Sequence, residues 1–202
     1  MAVHALVIVV DISGFSAWSN QVAAIPAMEP LVEGLYVACT ETFPRAWSKA
    51  LGDGGLIVQE QDAPETAGAL LDLGTKLVAR VHQVTETWRA HCLSLSHHYG
   101  LPIALPLRWG LTRGMLYACT QREDYLGAPI NLAARLCELA RPQGMALDAT
   151  TFPGQPSGGE AQWRQVVVPV KSFGPFVPVW VTETVVIASP SPPVPAPPAP
   201  EG

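Results

Sequence analysis

Two aspartates stand where a carboxylate can do chemistry. "ALVIVVDISGFSAW", residues 5–18, is an aliphatic run that stops on Asp11 and continues into Ser13 and Gly14. "LGDGG", residues 51–55, puts Asp53 in a glycine-rich turn. On adjacent strands the two carboxylates would lie close and repel, unless one is protonated or a cation lies between them. Mg²⁺ is the natural cation, since it takes oxygen ligands and uses one or two carboxylates together with substrate phosphates. "DISGF" would bring backbone N–H groups of Ile12, Ser13, Gly14 and Phe15 to the start of a helix, where phosphate oxygens bind well. The small Ser13 and Gly14 would let a phosphate come close. A plainer alternative is that Asp11 caps a helix and Asp53 fills a hairpin turn.

These residues need a scaffold. "ALVIVV" reads as a strand covered on both faces. Residues 15–24 read as helical, and Pro26 and Pro30 bracket the start of a second helix carried by "PLVEGLYVACTETF". "RAWSKAL", "GDGG" and "LIVQE" read as a hairpin, whose second strand is expected to stop early because Gln59 and Glu60 follow it. Leu70, Leu73, Leu77, Val81, Val84 and Trp88 recur at helical spacing and mark the longest helix, with Pro64 and Glu65 in its first turn and His97 and His98 at its end. "ALPLRWGL" and "GMLYACT" read as two strands around a glycine turn, "INLAARLCELA" as a short helix, and "GMALDAT" and "VPVWVTE" as late strands. Helices alternating with hairpins predict an α+β sandwich with a mostly antiparallel sheet. "SPSPPVPAPPAPEG", residues 189–202, is too poor in large apolar residues to build a core and reads as a polyproline-like tail.

Composition narrows the class. The chain has 202 residues, 49% of them hydrophobic, and a net charge of -5 with scattered Lys and Arg. That favours one domain with a sizeable core and argues against a nucleic-acid-coating surface. Cys39, Cys92, Cys119 and Cys137 have no metal-ligand spacing and read as small buried hydrophobes in a reducing compartment. The six tryptophans are dispersed and read as core. With no long uninterrupted apolar run, a soluble cytoplasmic protein is expected.

"DYLGAPINLAARLCELARPQG", residues 124–144, resembles the signature of the class III nucleotidyl cyclase catalytic domain. That signature has a base-reading position, a glycine, Asn-x-x-x-Arg on a helix, and a proline–glycine approach to a strand. The other blocks follow in the family's order. "VDISGFSAW" resembles the first metal motif, and "KALGDGG" the second with its specificity lysine. "LRWGLTRGMLY" resembles a strand pair, and "VKSFGPFVPVWV" the final hairpin. The resemblance spans about residues 5–182 and implies a ferredoxin-like, palm-type sandwich over residues 1–186, with 187–202 as the tail.

It also implies roles. Asp11 and Asp53 would hold two Mg²⁺ or Mn²⁺ ions, one acting on the ribose 3′-hydroxyl and one on the triphosphate. Asn131 would orient the ribose, and Arg135, four residues on and on the same helix face, would stabilise charge on the α-phosphate. Lys171 would contact the terminal phosphates. Lys49 and Asp124 would read the base. Lysine only donates and ionised aspartate only accepts, which suits the N1 and 6-amino group of adenine and mismatches guanine. The implied reaction is ATP to 3′,5′-cyclic AMP and pyrophosphate. The family splits its site between subunits, so a homodimer is implied, with no nucleic-acid or membrane partner. The segment before Asp124 is shorter than the family's usual arm, which leaves open a cyclase-fold module that binds without turnover. Guanylate cyclase is the lesser option.

Overall fold

The aliphatic run near the N-terminus forms β1 (Ala2–Ile12), and it is buried on both faces because it runs through the sheet interior. Leu6, Ile8, Val10 and Ile12 pack into one core, while Ala5, Val7 and Val9 pack into another. This two-sided burial is why the run does not alternate apolar with polar. The computed structural model describes residues 1–61, 66–119, 121, 123–157 and 161–186.

Further along the chain come α1 (Phe15–Ser19), a 3₁₀ turn at Val22–Ala24, α2 (Ile25–Thr42), β2 (Trp47–Leu51), β3 (Gly54–Gln61) and α3 (Ala67–Tyr99). They are followed by β4 (Leu107–Cys119), β5 (Asp124–Leu126), α4 (Ala128–Leu139), β6 (Gly144–Asp148), β7 (Trp163–Val170) and β8 (Gly174–Thr182). The eight strands form one sheet in the order β2-β3-β1-β4-β6-β8-β7, with β5 pairing β4. The β4–β6 pair is parallel and the others are antiparallel. Helices α2 and α3 cover one face through Leu31, Leu35, Leu77, Val81 and Trp88. Helix α4 covers the other through Ala133, Leu136 and Cys137. The fold is α+β, a mixed sheet with helices on both faces.

Three expectations change. The segment 107–119 is one continuous strand, not two around a turn. Gly114 sits within it because a side chain there would come within 2.7 Å of the Pro129 ring; it is a packing glycine. Strand β3 runs on through Gln59 and Glu60, because Arg80 and Tyr125 bond to their side chains. The stretch 15–24 divides into α1 and a 3₁₀ turn, separated by Asn20 and Gln21. Lys171 lies in the turn between β7 and β8. Pro64 and Glu65 lie outside the described residues; α3 starts at Ala67, with the Thr66 hydroxyl accepting from the Ala69 amide at 3.4 Å. It ends on His97 and His98, with Gly100 in the left-handed conformation beyond them (φ 63°). The tail from residue 187 is also outside the described residues.

The segment Val22–Thr42 is long and apolar enough to cross a bilayer by composition. Here its Ala27, Leu31, Leu35 and Ala38 are buried in the α2–α3 core.

Candidate active site

Asp11 is the penultimate residue of β1, and its register partners are Gly54 on β3 and Arg108 on β4. Gly54 is required there, since an added Cβ would lie 2.4 Å from the Val10 carbonyl oxygen. The two strands can therefore close on each other, and the β2–β3 turn brings Asp53 next to Asp11. The Asp53 carboxyl is pushed above the usual carboxylate range, first by burial and then by the negative charge of Asp11, with Arg108 acting in the opposite direction. A cation would relieve both effects.

Arg108 had no role assigned from the sequence, and it is central here. Its Nε and Nη2 both donate to Asp11 Oδ2 at 2.6 Å, in a pair that is largely shielded from solvent. A signal existed: an arginine opening an apolar strand ("PLRWGL") needs a carboxylate once the strand is packed. The backbone beyond Asp11 also differs from expectation. The Ser13 N–H donates to the Pro106 carbonyl at 2.8 Å, and its hydroxyl donates to the Pro142 carbonyl at 2.6 Å. Ser13 is thus committed to holding the loop and does not offer its amide to a phosphate. The Ile12 side chain is buried and paired opposite Leu107. Gly14 takes φ 81° as the cap of α1, and the first helical bond runs from the Trp18 amide to the Gly14 carbonyl. The amides of Phe15, Ser16 and Ala17 therefore precede the helix's own hydrogen bonding. Phe15 packs its ring 5.9 Å from Trp18.

A second group gathers around β5. Lys49 Nζ donates to Asp124 Oδ2 at 2.6 Å. The Tyr125 hydroxyl donates to Glu60 at 2.6 Å, and its ring meets Trp47 edge-on at 5.3 Å. Burial and Glu60 push the Tyr125 phenol up to about 12. Lys49 also sits 6.0 Å from the Trp47 ring. Glu60 and Tyr125, which had no assigned role, pin β5 across β2 and β3, and so set where Asp124 stands. From β5 the chain enters α4, where Asn131 and Arg135 are both exposed one turn apart. Arg135 pairs with Glu138 at 2.8 Å.

Asp11 and Arg108 mark one end of β4, and Cys119, the partner of Asp124, the other. The bond to Lys49 holds Asp124 back against β2, where Lys49 stands two residues before Leu51, the partner of Gly54 beside Asp11. Lys171 lies at the far end of the sheet, in the turn that precedes β8. From the Asp11 row to that turn is roughly 30 Å at about 3.3 Å per residue. Among the described residues, no group of three or more His, Cys, Asp or Glu side chains is placed to hold a metal ion. Any ion at Asp11 and Asp53 would draw its remaining ligands from water or a substrate, as Mg²⁺ commonly does.

No known protein family and no curated protein matches the sequence. Solved structures do match. The adenylyl cyclase CyaB from P. aeruginosa superposes with a TM-score of 0.69 at 17% identity, over 90% of this chain and 94% of that one. The guanylyl cyclase Cya2 gives 0.67 at 17% identity, over 92% and 94%. The catalytic core of a rhodopsin-guanylyl cyclase with converted specificity, in complex with ATPalphaS, gives 0.63 at 18% identity, over 90% and 98%. The fold is that of a nucleotidyl cyclase catalytic domain. Coverage of both partners at this level means that the cyclase fold extends over nearly all of the described chain. Adenylyl and guanylyl cyclases share it, so the fold does not choose the base.

Proposed function

We propose that this chain is a class III nucleotidyl cyclase that converts ATP to 3′,5′-cyclic AMP and pyrophosphate. The observation that carries the reading is the close placement of Asp11 and Asp53 at one end of β1 and β3, on a cyclase fold. Asp11 and Asp53, the latter held above the usual carboxylate range by burial and by the charge of Asp11, form a donor set suited to Mg²⁺ or Mn²⁺. Divalent ions bound there would polarise the ribose 3′-hydroxyl and the triphosphate.

The chain's own residues supply the rest. Arg108 can exchange its partner from Asp11 to a phosphate oxygen once a cation shares the carboxylate. The amides of Gly14 and Phe15 follow Asp11 at the start of α1 and would donate to the triphosphate. Asn131 would fix the ribose, so that its 3′-oxygen lies in line with the α-phosphorus. Arg135 would release Glu138 and meet the charge that develops on the α-phosphate as the bond to the β-phosphate oxygen breaks. Lys171 would hold the terminal phosphates. Lys49 and Asp124, joined at 2.6 Å, present a donor and an acceptor side by side. That pattern matches the N1 acceptor and 6-amino donor of adenine and opposes guanine.

The separation of Lys171 from Asp11 supports a site shared by two copies. In a C2 homodimer, the carboxylate end of one chain would meet the Lys49, Asp124, Asn131, Arg135 and Lys171 group of its partner, making two equivalent sites. We take residues 1–186 as the catalytic domain, 187–202 as a tail, and the protein as cytoplasmic, without nucleic-acid or membrane partners. One observation favours a second reading, nucleotide binding without turnover: Asp11 already has a shielded partner in Arg108. The deciding experiment incubates the protein with ATP or GTP and Mn²⁺ and assays cyclic nucleotide, with Asp53→Ala as control. Cyclic AMP that vanishes in the variant is expected. A dimeric protein that makes no product from either nucleotide contradicts the enzyme reading.

A further inference from the structure

Strand β5 is three residues long and, among the described strands, pairs with β4 alone. So short a ladder holds a strand weakly, since even a full two-stranded hairpin is marginal in water. Its place against β2 and β3 therefore depends on side chains. The Tyr125 hydroxyl donates to Glu60 Oε1 at 2.6 Å and ties β5 to β3. The Tyr125 ring meets the Trp47 ring edge-on, with centroids 5.3 Å apart, and ties β5 to β2.

The same residues hold Lys49 and Asp124. The Tyr125 amide donates to Asp124 Oδ1 at 2.9 Å, while Lys49 Nζ donates to Oδ2 at 2.6 Å. Lys49 Nζ also lies 6.0 Å from the Trp47 ring. A phenol donating to a carboxylate makes one of the stronger hydrogen bonds. Burial and Glu60 push that phenol up to about 12, so it stays a donor through the neutral range. Without the hydroxyl, β5 keeps only its short ladder and the ring contact, and Asp124 can move away from Lys49. Guanine O6 then meets less of the opposing acceptor, and a released Lys49 can donate to it.

We propose that Tyr125, bonded to Glu60, is a positioning residue that sets the choice of base, a role that rests on the base reading proposed for Lys49 and Asp124. Two measurements on the full chain test it: competition between ATP and GTP in the presence of Mn²⁺, and amide hydrogen exchange over residues 124–126, which needs no nucleotide. Tyr125→Phe keeps the ring against Trp47 and removes only the hydroxyl. Its melting temperature should stay near that of the wild type. Its preference for ATP over GTP should fall about fivefold or more, with faster exchange in β5. Glu60→Ala should behave alike, and Glu60→Gln, which keeps an acceptor for the hydroxyl, should recover most of the preference.

An ATP to GTP ratio in Tyr125→Phe within twofold of the wild type overturns the proposal. So does an equal loss in Glu60→Ala and Glu60→Gln. The two readings fail separately. A ratio that moves in Lys49→Glu but not in Tyr125→Phe keeps the base reading and removes the role of Tyr125. Faster β5 exchange in Tyr125→Phe, with a ratio that neither variant moves, removes the base reading and with it the specificity role.

Discussion

Gly110, in the middle of the sheet on β4, lies directly beneath α4. A Cβ at that position would sit 1.9 Å from the Ala133 carbonyl oxygen and 2.3 Å from the Cys137 amide nitrogen. Ordinary contact begins near 3.4 Å, so Gly110→Ala leaves the helix about 1.5 Å too close. Both obstructing atoms are helix backbone, so no rotamer change relieves the clash. Either α4 lifts off the sheet or β4 shifts against β1 and β6. Overpacking a core costs about 1–3 kcal/mol where side chains can adjust, and the backbone clash puts this variant at about 3 kcal/mol or more. For a domain of this size that is a fall in melting temperature of about 6–12 °C. Gly114→Ala is the internal control, because its Cβ meets the Pro129 ring edge at 2.7 Å. That ring is a side chain at the helix start and can yield, so about 1 kcal/mol is expected. Chemical denaturation measures both. The lift of α4 also displaces Asn131 and Arg135, and a misplacement of about 1 Å can cost a hundredfold in rate. Gly110→Ala should therefore lose cyclase activity even at temperatures where it remains folded. Wild-type stability in Gly110→Ala, or equal effects from the two variants, would refute the packing argument.

Further predictions concern the site. Asp53 is held above the ordinary carboxylate range, so its ionised form is disfavoured in the folded state. Asp53→Asn should stabilise the metal-free protein at neutral pH. That gain should shrink as pH falls through the folded pKa and vanish below the unfolded value of about 3.9; melting curves across pH 3–8 check the sign. The same variant should lose Mn²⁺ binding, and the wild type should lose Mn²⁺ on acidification at a higher pH than an ordinary carboxylate site, read by calorimetry. Lys49→Glu removes the donor at 2.6 Å from Asp124 and sets two carboxylates together. It should reduce the preference for ATP over GTP by on the order of tenfold or more in competition binding, and an unchanged ratio would remove these residues from base reading.

Much of this arrangement was legible in the chain, and the parts that were not have physical reasons. The buried β1 and the long α3 announced themselves through an unbroken aliphatic run and a sustained helical period. The α4 motif was legible because residues 124–144 resemble the nucleotidyl cyclase signature. Strand β4 was misread because glycine is ambiguous in sequence. Gly114 serves close packing against Pro129, which no local pattern reveals. The three-residue β5 is too short for periodicity; its position is set by Tyr125, Glu60 and Trp47, which are distant in sequence. Gln59 and Glu60 looked like a strand end because their partners, Arg80 and Tyr125, come from other elements. Ser13 read as a phosphate ligand by type, but Pro106 and Pro142, reached only through the fold, take up its amide and hydroxyl. Arg108 was visible as an isolated cation in an apolar strand, yet its partner Asp11 is 97 residues away.

The central claim is that the active site is completed by a second copy of the chain. It is tested most directly by mixing two inactive variants, Asp53→Ala and Arg135→Ala. Each homodimer would carry a defect in both sites. A mixed dimer would carry both defects in one site and none in the other. With random exchange, the mixture should regain about a quarter of the wild-type cyclic nucleotide output, as C2 symmetry requires. If the mixture stays inactive although the wild type makes cyclic nucleotide and the chains exchange, both residues act within one subunit and the shared site is wrong.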